Sequence, residues 1–163
     1  MSFGAALWQE LVADLPDNIE MARIVVRLLF AVILGGILGF QRAEAGKAAG
    51  MRTYMLVTLG AALVVLVPEL TGMSSADLSR IIQGVLTGIG FIGGGVILKM
   101  SEQHHIVGIT TAASIWLTAT IGIAAGTSRL GLAVVGAILA YIILTAFGWL
   151  EDKMISKDKR AGD

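Results

Sequence analysis

The sequence predicts an all-α membrane protein with five transmembrane helices, its N-terminus outside and its C-terminus in the cytoplasm. Three observations predict it. Hydrophobic residues fill 56% of the 163 positions and charged residues 15%, against roughly 45–50% and 25% in soluble domains. The apolar residues gather in five runs, at 22–40, 53–68, 80–98, 108–126 and 130–150, close to the ~20 helical residues that cross about 30 Å of hydrocarbon. The charges collect between the runs, unevenly on the two sides. A soluble five-helix bundle would need a polar stripe along each helix, and the second to fifth runs have none.

Residues 1–21 form the extracytoplasmic N-terminal segment. They carry Glu10, Asp14, Asp17 and Glu20, where a cleaved signal would carry a cationic leader, so no such signal is expected. Residues 4–15, GAALWQELVADL, fit a short amphipathic helix on the membrane surface or a soluble lead-in. Asp17 and Glu20 follow Pro16 in the D-x-x-E spacing of a capping box that opens the first span. The 41–52 loop then packs Arg42, Glu44, Lys47 and Arg52 among alanines and glycines. The second span is short, and its flanks complete it. Residues 69–79 form a loop with Glu69 and Asp77. The 99–107 loop holds Lys99 and the pair His104–His105, and a very short turn at 126–129 leads into the fifth span. Residues 22–150 thus make one transmembrane domain, and 151–163 a polar tail.

Orientation follows the Lys and Arg content of short loops. Arg42, Lys47, Arg52, Lys99, Lys153, Lys157, Lys159 and Arg160 fall on one side if the spans are odd in number. The acidic N-terminus and the 69–79 loop fall on the other. Loop charge and span count therefore agree on a cytoplasmic tail.

A shift of 58 positions overlays two regions: Gly35–Gly36 on Gly93–Gly94, Gly50 on Gly108, and Thr53 on Thr111. Each copy is a glycine-rich helix end, a loop, and G-x-x-T opening the next helix. This has the form of a parallel repeat about an axis along the membrane normal. The third span is richest in glycine. Gly84/Gly88 and Gly90/Gly94 are G-x-x-x-G pairs, and Gly93, Gly94 and Gly95 are consecutive. Small residues let helix backbones approach within a bilayer, and Gly35/Gly39 and Gly122/Gly126 repeat the spacing. Two readings stand for the third span: helix packing, or a broken helix lining a polar cavity at Gly93–Gly95.

Several chemistries are not expected. No Asp or Glu lies inside spans two to five, where ion-coupled pumps place ionisable groups. Gly46–Lys47 is no P-loop, because Gln41 and Ala48 stand where Gly and Ser/Thr are needed. No nucleophile–base pattern, cofactor motif or metal set is expected, and the chain reads as non-enzymatic. The 12 basic and 12 acidic residues cancel, so no nucleic-acid partner is expected. Thr58, Thr87, Thr118 and Thr120 are hydroxyls expected to bond back to their own helices.

The charged loop lies where two helices, opening at Met51–Arg52–Thr53 and Thr110–Thr111, present positive N-termini to one side. Free N–H groups there favour an anion or a carboxylate. Two readings remain open: Arg42 and Arg52 as topology anchors, or a polar pocket built from Arg52 and the two Thr-bearing ends.

The segments GGILGFQRAEAGKAAGMRTYMLVTLGAAL, SRIIQGVLTGIGFIGGGVILK and GITTAASIWLTATIGIAAG resemble the MgtC/SapB family of bacterial inner-membrane proteins. The family motifs read G-x-x-x-G-x-E-R, A-G-x-R-T, G-I-G-F-L-G-G-G-x-I and G-L-T-T-A-A. The likeness covers residues 24–150. Two departures stand out. Gln41 replaces the family's acid before Arg42, and only a short tail follows the fifth span where many relatives carry a cytoplasmic domain. The candidate cluster is thus Gln41, Arg42, Arg52, Thr53, Thr110 and Thr111. The resemblance implies a multi-pass inner-membrane protein tied to magnesium homeostasis. It implies action as a homo-oligomer, a dimer first, or on another membrane protein, as some relatives act on the F-type ATP synthase. The rival reading is a small channel or transporter for Mg²⁺ or another solute.

Overall fold

The structure is a computed structural model, and it describes residues 2–13, 16–100, 105–150 and 153. Its elements are α1 (Phe3–Ala13), α2 (Asn18–Glu44), α3 (Met51–Leu70), α4 (Ser75–Val96), β1 (Leu98–Met100), β2 (His105–Val107), α5 (Ile109–Gly126) and α6 (Leu130–Ile142). A π turn, Ile143–Phe147, prolongs α6. The fold is all-helical apart from one short antiparallel hairpin, in which Leu98 pairs with Val107 and Met100 with His105. That hairpin replaces part of the expected 99–107 loop. His104 and Glu102 lie outside the described residues, as does nearly all of the 151–163 tail.

Four helices are long and apolar enough to cross a membrane: α2, α3, α5 and the Leu130–Leu150 stretch that begins with α6. The expected third span, 80–98, falls on α4, whose glycines and Gln83 dilute its hydropathy. Large apolar side chains point outward along the bundle, among them Leu29, Ile33, Leu56, Leu132 and Leu139. Outward apolar surface on this scale fits lipid rather than water.

The Asp17 half of the capping box forms, its carboxylate accepting from the Ile19 and Glu20 N–H groups at 3.0 and 2.7 Å. α1 is helical, and Phe3, Leu7 and Trp8 on it are exposed. At the end of the bundle where α2 begins, Arg27 pairs with Glu69 at 2.9 Å, and Ser128 donates to the same carboxylate at 2.9 Å. This contact ties α2, α3 and the α5–α6 turn together.

The core is built on close backbone contact. α3 lies between α2 and α5, and glycines line both seams. A methyl group on Gly39 would stand 2.6 Å from the Met51 Cα, and one on Gly126 2.5 Å from the Ala62 carbonyl oxygen. Gly35 meets the Thr58 hydroxyl, and Gly122 the Thr58 carbonyl, more closely still. The G-x-x-x-G pairs Gly35/Gly39 and Gly122/Gly126 are thus the packing glycines of this chain.

The α4 pairs are not. Gly84, Gly88, Gly90, Gly94 and Gly95 have no atom within 4 Å of where a side chain would begin. Only Gly93 packs within the chain, against Ala112. Helix–helix contact within one chain at those five positions is therefore corrected. The break at Gly93–Gly95 is corrected as well, because α4 runs unbroken to Val96 and gives way only at the extended Ile97. A run of glycine lowers helix propensity, but without a competing turn it does not end the helix.

The overlay at 58 positions is not the packing register of α3 and α5. The two facing pairs, Thr58 with Gly122 and Ala62 with Gly126, are each 64 positions apart. Thr53 is thereby level with Leu117, six residues along α5 from Thr111. Repeat-related positions are out of step by about 9 Å of helix rise.

Candidate functional site: a buried arginine where three helix ends meet

Arg42 sits in the last turn of α2 and is 4% exposed. The helical period explains its burial. Gly35, Gly39 and Arg42 follow at i, i+4 and i+7, on the one face of α2 that presses against α3. The guanidinium continues the glycine stripe past the end of α3, where Ala43 touches Gly50, the residue that caps α3. There its Nη2 donates to the Thr111 Oγ1 at 3.0 Å, in the first turn of α5.

A column of hydroxyls runs inward from that contact. The Ser114 Oγ donates to the Thr111 carbonyl at 2.9 Å, so the Tyr54 hydroxyl, 2.5 Å from the Ser114 Oγ, is the donor of that pair. Tyr54 is fully buried and Ser114 nearly so. Thr58 and Thr118 bond back to the Tyr54 and Ser114 carbonyls at 3.0 and 2.7 Å. Thr87 and Thr120 do the same on their own helices. These back-bonds satisfy the hydroxyls in the turn behind them, so Tyr54 and Ser114 alone carry the column across from α3 to α5.

The charge of Arg42 is not matched. The ion pairs among the described residues are Arg27–Glu69 and Arg80–Asp77, and neither includes it. Its Nε is sealed from solvent and has no hydrogen-bond partner. A buried donor left in that state costs about 1–3 kcal/mol.

Gln41 departs from this group. One step along α2 turns its side chain toward α6, where its Nε2 donates to the Leu144 carbonyl at 3.3 Å, inside the π turn. Its Oε1 is buried and unpartnered. An amide can donate to that carbonyl, whereas an ionised carboxylate cannot.

The other sequence candidates separate. Arg52 and Thr110 are exposed, and Thr53 is half-buried two turns of α5 away from Thr111. The structure thus joins Arg42 and Thr111, and it leaves Gln41, Arg52, Thr53 and Thr110 outside their contact. Neither Thr caps its helix. Glycines stand at both N-caps, Gly50 for α3 and Gly108 for α5, and neither end has a side-chain capping bond. Gly108 has φ +95 and lies against the Val96 carbonyl, a place no other residue fits without strain. Sequence reading missed Tyr54 and Ser114. The signal was available, because Thr111, Ser114, Thr118 and Gly122 fall on one helical face. Among the described residues no group of His, Cys, Asp and Glu could hold a metal ion.

With this geometry in place, comparison with known proteins is decisive. The profile of the MgtC family matches residues 28–153. The chain belongs to that family. It is 40% identical over 136 residues to the SrpB protein of Synechococcus elongatus, covering 77% of this chain and 75% of that one. It is 37% identical over 145 residues to YhiD of Escherichia coli strain K12, whose name proposes a magnesium transporter, covering 84% and 66%. It is 35% identical over 118 residues to the MgtC protein of Brucella abortus, covering 72% of this chain but 48% of that one. The chain therefore spans from 48% to 75% of the length of these relatives. No solved structure matches it.

Proposed function

We propose that this MgtC-family protein is a non-enzymatic, multi-pass protein of the bacterial inner membrane that serves magnesium homeostasis. It acts by modulating other membrane proteins or as a homo-oligomer, with a polar site at its cytoplasmic end. Five spans are proposed, α4 being the fifth, with the N-terminus outside. The hairpin end then faces the cytoplasm, which agrees with Lys47 and Arg52 exposed there. The family membership and the YhiD name support the magnesium connection. A homodimer is supported by the open glycine face of α4, where Gly84, Gly88 and Gly95 meet nothing in their own chain.

One observation favours modulation over conduction: the unmatched Arg42 at the hairpin end. A Mg²⁺ path needs oxygen ligands and keeps several waters. Here the hairpin end of the bundle offers a buried cation instead, and α5 and α6 contain no carboxylate. The rival reading, a small transporter or channel for Mg²⁺ or another solute, draws on the YhiD name. Liposomes containing only this protein separate the two. Modulation predicts no Mg²⁺ flux above empty liposomes, with growth at low Mg²⁺ dependent on the protein in cells. Flux that saturates with Mg²⁺ would establish transport.

A further inference from the structure

Three positive features converge at the hairpin end of the bundle. The first is the Arg42 guanidinium, buried at 4% exposure, with an orphan Nε and no carboxylate partner among the described residues. The second is the first turn of α5, an 18-residue helix whose opening N–H groups have no capping side chain. The third is the N-terminus of α3, uncapped in the same way, whose Gly50 touches the residue next to Arg42. Each helix N-terminus carries about half a positive charge, and the C-terminus of α2 returns only about half a negative one. The sum stays above one full positive charge. Glu44 is exposed and pairs with neither arginine, so it does not cancel that charge.

Structural explanations account for part of this. Arg42 is held by Thr111, and α2 ends favourably at a cation. They do not account for the orphan Nε or for placing a cation against two positive helix ends. The Thr111 hydroxyl also has an unused proton. It accepts from Arg42 and donates to no described residue. Donors are thus offered together by a planar guanidinium, a hydroxyl and backbone N–H groups, and among the described residues no acceptor of matching charge faces them. Arginine's fork suits multi-oxygen anions, and uncapped helix N-termini bind phosphate and related anions.

Resting on the polar site named above as the working end of the protein, we propose that Arg42, the Thr111 hydroxyl and the uncapped first turn of α5 bind a phosphate-class oxyanion. Three kinds of donor together suit a multi-oxygen tetrahedral group. The anion is either free phosphate or the phosphate of an anionic lipid headgroup, since the chemistry of recognition is the same. Residues Ala43 to Ala48 are exposed, and the loop of small residues that starts at Ala45 is the side from which either could enter.

The full chain, purified in neutral maltoside micelles and freed of lipid, provides the test. Melting is followed in phosphate, in acetate and in chloride at matched ionic strength, and in micelles doped with phosphatidylglycerol or phosphatidylcholine. Phosphate, phosphatidylglycerol or both should raise the midpoint by about 2–6 °C over chloride. A rise with phosphatidylglycerol alone assigns the headgroup, and a rise with phosphate assigns the free anion. Arg42→Gln should abolish the rise, and Arg52→Gln, an equal loss of charge at an exposed position in the first turn of α3, should keep it. If Arg42→Gln does not fold, Thr111→Val provides the same comparison at constant volume. No rise in the wild type, an equal rise with acetate, or an equal loss in Arg52→Gln would overturn the proposal. Growth at low Mg²⁺ on the same variants separates the two ideas. Lost growth in Arg42→Gln without any oxyanion effect leaves the site functional and the ligand class wrong. Lost binding with normal growth leaves the oxyanion site standing and removes its link to function.

Discussion

Gly122→Ala should destabilise the protein, although alanine is the better helix former. The added methyl would stand against the Thr58 carbonyl, 2.9 Å from the Thr58 Cα and 3.0 Å from the Ala61 Cβ. Carbon atoms in contact prefer about 3.5–4.0 Å, so α3 would have to retreat by roughly half an ångström or more. It cannot retreat freely. On its other side α2 presses on it through Gly35 and Gly39, so opening one seam closes the other. Overpacking costs about 1–3 kcal/mol, and contact with backbone places this case near the top. The Gly-to-Ala propensity gain of about 1 kcal/mol offsets part, leaving a net loss of about 2 kcal/mol. In a chain of this size that lowers the melting midpoint by about 4–8 °C. Gly60→Ala is the matched control, because Gly60 lies on α3 with nothing within 4 Å. It should melt at or above the wild type. A Gly122→Ala protein that melts with or above Gly60→Ala would refute the two-seam account of the core.

Four further outcomes are expected. Gln41→Glu should lower stability by about 1–3 kcal/mol at neutral pH, because the carboxylate cannot donate to the Leu144 carbonyl; thermal melts that match the wild type would show that the α6 contact is idle. Tyr54→Phe should cost only about 0.5–1.5 kcal/mol, since Ser114 keeps its own bond to the Thr111 carbonyl; a larger loss in denaturation would mean that the column acts as a unit. Gly88→Leu has open space within its own chain, so it should leave melting near the wild type while shifting cross-linked dimer to monomer, and unchanged cross-linking would place that face against lipid. A periplasm-dependent phosphatase fused after Asp163 should be inactive, and strong activity would remove the five-span orientation.

How much of this was legible in the sequence differs from residue to residue. The helices were legible because length and apolarity report directly on a bilayer, and the ends of α3, α5 and the Leu130–Leu150 stretch fall within a few residues of the expected runs. The glycine pairs were legible as pairs, but Gly35/Gly39 and Gly84/Gly88 share one spacing and have opposite surroundings. Spacing records that two glycines share a face, and only the arrangement of neighbouring helices decides what that face meets. The site was legible as chemistry and misplaced by phase. Arg52 lies nearer Thr53 in sequence, yet Arg42 is the residue in phase with Gly35 and Gly39. The expected meeting of Thr53 with Thr111 failed because it took the repeat offset for the packing register. The hairpin was not legible at all, since two three-residue strands, LKM and HIV, carry little pattern.

The close seams explain why a charge can persist inside so apolar a bundle. A buried ion usually escapes its cost by snorkelling to the interface or by losing its charge. Arginine does not lose its proton in proteins. Escape by movement is limited as well, because Arg42 emerges from the glycine face with which α2 presses on α3, and Thr111 holds its tip. The contrast with α4 points the same way. If glycine served only to make the bundle compact, α4, which has the most of it, would be the best packed helix, yet its buried positions are only Ile89 and Gly93. The chain therefore uses glycine for two purposes. In α2 and α5 it fixes an interior around one cation. In α4 it leaves an open face that leads, through the hairpin and Gly108, into the turn of α5 that holds that cation.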